Sequence, residues 1–289
     1  MNSEPTRHTQ QPLLAIAMIV RNEASNLAAC LESCQDLADE IVIVDSGSED
    51  NTAEIAHRFP KVRFFEHNAW RGFGLQRRTA QEHIQAKWVF WIDADERVTP
   101  ALAASIRQVI HEHSTNDSDT NQTSPSGPRL FSVNRLSWVF GRFIRHSGWH
   151  PDWVVRLYQT DATQYSDDTV HEHVMKPANA TIIKLDGNLL HYTYRDLQHY
   201  LVKSAQYASL WAQQRASHGK KASLGQGVIH ALGCFLKMYV FKAGFLDGRQ
   251  GLLLALLSSH STFAKYADLW ICQQPDSEKP GSAKPGKPH

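Results

Sequence analysis

Four apolar runs, each followed by a stretch of mixed polarity, occupy the first third of the chain. The run "LLAIAMIV" (Leu13–Val20) is continuous, as expected of a strand covered on both faces. Ala24, Leu27, Ala28 and Leu31 follow at helical spacing. "EIVIVD" (Glu40–Asp45) predicts a second strand and "NTAEIAHRF" a short helix; "KVRFFEH" (Lys61–His67) predicts a third strand, with a helix near Leu75–Gln85. "KWVFWID" (Lys87–Asp93) is the fourth strand. Thr99 and Pro100 then open another helix, as N-cap and first helical residue. Strands spaced by helices of this length predict an α/β fold with a doubly wound, mainly parallel sheet and right-handed crossovers.

Past residue 112 the pattern changes. Residues 113–128, "HSTNDSDTNQTSPSGP", are polar with no apolar period and are expected to be a flexible insertion. Residues 129–194 mix short strand-like runs with Gly, Trp, His and Arg, the profile of a region that builds a site. From 195 to 272 the chain turns helical, with Leu197, Leu201, Ser204, Ala208 and Trp211 at helical spacing, and 273–289 are a disordered tail by composition. Within the helical part, Val228–Leu246 is apolar but carries His230, Lys237 and Lys242. Those charges argue against a membrane span. An interfacial helix and a plain core helix both stay open.

Composition adds little beyond this. The 289 residues carry a formal charge of +1, so the whole-chain field gives no reason to expect nucleic acid. The balance is uneven, however: five arginines lie between Arg129 and Arg156 against one acid, Asp152. That segment suits an anionic partner or a solvated basic face. Cys30 and Cys34 sit one turn apart on a predicted helix and read as small core residues. The N-terminal "MNSEPTRHTQQP" has no apolar signal core, so a cytoplasmic protein is expected.

In an open parallel sheet, ligands sit beyond the carboxyl ends of the strands. Strand one ends in Arg21-Asn22-Glu23, strand two in Asp45-Ser46-Gly47-Ser48, and strand four in Asp93-Ala94-Asp95. Each alone reads equally well as a turn or helix cap. Two carboxylates flanking one residue can also share a divalent cation with phosphate oxygens, and hard oxygen ligands favour Mg²⁺ or Mn²⁺.

The ordered motifs "IAMIVRNEASNL", "EIVIVDSGSEDNT", "GFGLQRRTA" and "KWVFWIDADE" resemble the inverting nucleotide-sugar glycosyltransferases of the GT-A fold, family 2. "GWHPDWVVRLY", "VHEHV" and "FKAGFLDGRQGLLLALLSSHSTFAKYADLW" extend the likeness, which is strongest toward bacterial β-1,4-glucosyltransferases acting on inner-core heptose of lipopolysaccharide. The resemblance implies a GT-A-type domain whose nucleotide-sugar half is residues 1–112 and whose acceptor half is 129–194. Asp45 would contact the uracil base beside Arg21, Asn22 and Glu23, Asp93 the ribose, and Asp95 the metal at the diphosphate. Glu172 matches the general base that takes the acceptor's proton. On a strand, His171 and His173 would share the opposite face, so a histidine also stays open for that role. Gly72 and Gly74 would let the backbone approach the donor, with Gln76 and Arg77 beside it. Arg78 stands where relatives carry asparagine. Arg156 is a candidate donor contact, and Trp149 and Arg145 are candidate acceptor contacts.

Other classes that share these features fit less well. A haloacid-dehalogenase-type phosphatase has Thr or Val where this chain has Arg97, and a nucleotidyltransferase has a Gly-rich loop where this chain has "RNEASN". The expectation is a metal-dependent inverting hexosyltransferase. It would use a UDP-sugar, probing a lipopolysaccharide core acceptor from the cytoplasmic face of the inner membrane as a peripheral protein. Alternatives are transfer to another surface polysaccharide or lipid-linked acceptor, and a non-catalytic saccharide-binding protein.

Overall fold

The computed structural model describes residues 11–116, 127–167 and 172–274. The insertion expected over 113–128 and the tail expected over 273–289 therefore fall largely outside the described residues. The chain divides into two compact units. The first holds residues up to Leu136 together with Pro151–Tyr192, and the second holds Ser137–His150 with everything from Thr193.

The first unit is built on the alternation read from the apolar pattern: β1 (Leu14–Val20), α1 (Leu27–Cys34), β2 (Glu40–Asp45), α2 (Thr52–Ala56), β3 (Val62–Glu66), α3 (Phe73–Glu82) and β4 (Trp88–Trp91). These strands lie in the order β3-β2-β1-β4, all parallel. Because both faces are covered, Ile16, Met18, Ile41, Ile43, Phe90 and Trp91 are essentially inaccessible. Cys30 and Cys34 are buried with them, as their helical spacing predicts.

A three-residue strand, β5 (Glu96–Val98), follows β4 at once and precedes α4 (Pro100–Asn116). Thr99 caps that helix, its hydroxyl accepting from the Leu102 amide at 3.3 Å. The sheet continues through β8 (Asp152–Gln159), β6 (Arg129–Val139) and β9 (Thr181–Tyr194) to β5. Here the direction reverses: β8 runs antiparallel to β4 and to β6, and β9 antiparallel to β5. The sheet is thus mixed, with the parallel part carrying the helices. A two-residue strand, β7 (Arg142–Phe143), pairs with the end of β6.

The second unit is mainly helical: α5 (Leu197–Ser217), α6 (Leu224–Leu236), a π-helical turn over Lys237–Phe241, a 3₁₀ turn over Gly244–Asp247 and α7 (Gly248–Ile271). Asp196 caps α5, and Ser223 with Gln226 forms a reciprocal capping box on α6. Ser137–His150, expected to belong with the site-building region, packs in this unit instead. Val139 and Ile144 share a small core with Met238, Leu254 and Ala255. Asp247 anchors the segment, accepting from the Arg145 amide at 3.1 Å, the His146 amide at 2.9 Å and the His146 ring at 3.0 Å.

Candidate active site

The parallel register sets Val20 beside Asp45, so the loops leaving β1 and β2 start level with each other. They are stitched together by side chains. The Asn22 amide donates to Ser48 Oγ at 2.8 Å, the Glu49 amide donates to Asn22 Oδ1 at 2.7 Å, and the Glu23 amide donates to Thr52 Oγ1 at 2.8 Å. Asn22 adopts φ 56°, a left-handed conformation asparagine tolerates better than most residues. Asp45 is buried, and its Oδ2 accepts from the amides of Gly47 and Ser48 while Oδ1 accepts from the Ser48 hydroxyl. Asp45 therefore holds its own loop in shape. Arg21 is exposed at the same edge.

Helix α3 contributes inward-facing polar side chains. Gln76 is buried and donates to Ser46 Oγ and to the His67 carbonyl, both at 3.0 Å. It therefore ties the loop after β2 to the end of β3. At Gly74 a side chain would come within 2.0 Å of the Ser166 carbonyl oxygen, so the missing Cβ makes room for this protein's own backbone. Arg77 packs against the rings of Trp91 and Tyr165, 5.4 and 4.9 Å from their centroids, and those rings meet each other edge to face.

From Arg77 a chain of alternating charges runs across the end of β4. Arg77 donates to Asp93 Oδ1 at 2.6 Å and Arg156 donates to Asp93 Oδ2 at 2.7 Å. Arg156 also donates to Glu96 Oε1 at 3.0 Å. Glu96 in turn lies 3.8 Å from Arg135, and Arg135 pairs with Asp152 at 2.7 Å. Burial works against the charged form of Asp93, but Arg156 and Arg77 outweigh it and hold the carboxyl well below its usual range. Burial likewise opposes the charge on Arg156, and Asp93 and Glu96 more than compensate. Burial has the larger say at Glu96, which is 0 % exposed and whose carboxyl is pushed up despite Arg156.

Glu96 went unmarked in the sequence. Its Oε2 accepts from the Asp93 amide at 2.9 Å, so it fixes the backbone on which the acid pair is mounted. The only local signal was an acid directly after "DAD".

The two acids of that pair have different surroundings. Both oxygens of Asp93 are taken by guanidinium groups. The Asp95 side chain is 25 % exposed, and its Oδ2 lies 3.4 Å from His191 Nε2. Among the described residues no three His, Cys, Asp or Glu side chains gather for a metal. Asp95, engaged only by His191 among the ion pairs of the described residues, nevertheless fits a hard cation such as Mg²⁺ or Mn²⁺, which keeps most of its coordination sphere as water and substrate phosphate.

A cleft of about 390 Å³ opens over the network, in the size range of small-molecule sites. Arg77, Asp93, Arg135, Arg156, Tyr165, Glu172 and His173 are among the residues that line it. Glu172 and His173 arrive on a hairpin closed by the pairing of Tyr165 with Val174 and by the Ser166 amide donating to the His173 carbonyl at 2.8 Å. Glu172 is half-buried, while His171 lies outside the described residues. Trp149 and Arg145 belong to the helical unit, where Trp149 packs against that unit's core.

The family model described as "Glycosyl transferase family 2" matches residues 15–175. The chain is 27% identical over 272 residues to a lipopolysaccharide core biosynthesis glycosyltransferase, LpsC, of Rhizobium meliloti, covering 88% of this chain and 93% of that protein. It is 24% identical to an uncharacterized glycosyltransferase of Rickettsia prowazekii, covering 87% of this chain and 85% of the relative. Among solved structures, S. aureus TarS 1-349 in complex with UDP matches at 12% identity and a TM-score of 0.45, covering 90% of each chain.

Proposed function

The chain belongs to glycosyl transferase family 2, and from that premise we propose that it moves a hexose from a UDP-sugar to an inner-core saccharide of lipopolysaccharide, inverting the anomeric carbon. Resemblance favours glucose as the hexose and heptose as the acceptor. The observation that carries this reading is the meeting of Glu172 with the Asp93–Arg156 pair in one cleft of substrate size. The name of the Rhizobium meliloti relative, similar along nearly its whole length, supports the acceptor class.

In this reading the acceptor hydroxyl attacks the anomeric carbon while Glu172 takes its proton. The sugar–phosphate bond breaks and the nucleoside diphosphate leaves with the electron pair. Arg156 and Arg77 supply fixed positive charge near the departing group, already aligned by Asp93 and so needing little rearrangement during the reaction. A divalent cation, when bound, supplies further neutralisation at the diphosphate, and Asp95 is the residue to hold it. Asp45, Asn22 and Glu23 shape the base pocket, and the reaction takes place on the cytoplasmic side.

The test is release of UDP from a panel of UDP-sugars with lipopolysaccharide core as acceptor. Glu172→Gln should lower turnover by about 10²–10⁴-fold with little change in donor affinity. Asp95→Ala should raise the divalent-cation concentration needed for activity. Near-normal turnover of Glu172→Gln would remove it as the base. Full activity in EDTA would remove the metal.

A further inference from the structure

The helical unit combines two features that the transfer reaction does not use. The first is an apolar face turned to solvent. Helix α6 lies against α7 through Gly227, where an added Cβ would meet Tyr266 and Phe263 at 3.1 and 3.2 Å, and through His230, whose ring stacks on Tyr266 at 4.5 Å. At about 100° per residue, Ile229, Leu232 and Leu236 fall on the side opposite Gly227. They are 69%, 60% and 49% exposed, and Phe241 at the end of the following turn is 80% exposed. Soluble proteins seldom leave so continuous an apolar strip uncovered. A plain core helix, one of the two readings open from sequence, does not describe it: only 11% of Leu224–Phe241 is buried.

The second feature is charge. Residues 195–272 contain nine Lys and Arg against three acids, Asp196, Asp247 and Asp268, although the whole chain is nearly neutral. Asp247 is itself buried and engaged by the Arg145 and His146 amides. Lys237 and Lys242 bracket the most exposed end of the strip, and Lys220 and Lys221 precede its start.

We propose that this face docks on an anionic lipid bilayer, with α6 lying in the plane of the interface, its apolar strip in the acyl boundary and its lysines at the headgroups. A second copy of the chain suits the face less well, because a two-fold contact would bring the same basic surface of both copies together. A transmembrane course is opposed by α7, which packs along α6 yet carries Arg249, Ser258, Ser259, His260, Lys265 and Asp268. The inference is independent of the sugar-transfer reading, since it concerns surface residues that line no part of the cleft.

The test is co-sedimentation of the full chain with sucrose-loaded vesicles of phosphatidylcholine alone or mixed with phosphatidylglycerol. The wild type should bind the anionic vesicles, and more weakly at high salt. Ile229→Asp combined with Phe241→Asp should weaken that binding by about tenfold or more. Lys237→Gln combined with Lys242→Gln should abolish most of the preference for anionic over neutral vesicles while leaving the helical circular dichroism unchanged. Three results would each overturn the proposal: a wild type that ignores both vesicles, a double aspartate variant that binds as the wild type does, or a wild-type dimer that the aspartates split while vesicle binding stays absent.

Discussion

Leu31 and Glu96 are both fully buried in the sheet unit, while Leu232 and Lys237 both face solvent-accessible surface in the helical one. The sheet unit keeps arginines and acids inside, each matched to the next in a chain from Arg77 to Asp152. The helical unit keeps its cations outside and leaves leucines and phenylalanines outside with them. Neither arrangement is the most stable use of these residues. Buried charge costs desolvation that an apolar core would avoid, and exposed apolar area forgoes burial. Departures of this kind in opposite directions mark two different duties, a polar site in one unit and a contact surface in the other.

The comparison breaks most readily at Glu96. Glu96→Ala removes the acceptor for the Asp93 amide and a partner of Arg156 together. Severing a buried charge network of this kind costs about 3–5 kcal/mol, and the lower end applies because Asp93 still holds Arg156. The urea midpoint should fall accordingly. Glu96→Gln, which keeps an acceptor but no charge, should lie between alanine and wild type. If glutamine equals wild type, the charge on Glu96 does not hold the arginines.

A smaller loss is expected at Gly74, where the sheet unit's packing rather than its charge is under test. Gly74→Ala must displace the Ser166 backbone and should cost about 1–3 kcal/mol by overpacking. The hairpin bearing Glu172 starts at that point, so turnover should fall more than donor affinity. An unchanged melting temperature would show that the hairpin yields freely.

These two residues also mark where the sequence stopped being readable. Strands β1 to β4 are legible because continuous apolar runs ending in polar residues leave little choice of period, and Thr99-Pro100 announces its helix by local chemistry. Strand β5 has three residues, too few to show an alternation, and so Glu96 looked like an acid past the end of a strand. Its partner Arg156 is sixty residues away. Ser166, the backbone that Gly74 accommodates, is more remote still in sequence. The acid pair itself was visible, yet not that Asp93 is engaged by two arginines while Asp95 meets His191 instead. Long-range pairing has no periodicity to betray it.

The smallest effect belongs to the helical unit and tests the contrast with one chemical change. Truncating Leu31, which is 0 % exposed in the sheet unit, should cost about 2–5 kcal/mol. The same truncation at Leu232, 60 % exposed on α6, removes mostly solvent-facing surface. Alanine is also the better helix former. Leu232→Ala should therefore change unfolding stability by no more than about 0.5 kcal/mol, measured without lipid. A loss approaching that of Leu31 would mean that the face is already covered in solution, by another copy or by the chain itself. A neutral result leaves a leucine that the fold does not need, and its retention on a basic surface then has to be explained by what the surface meets.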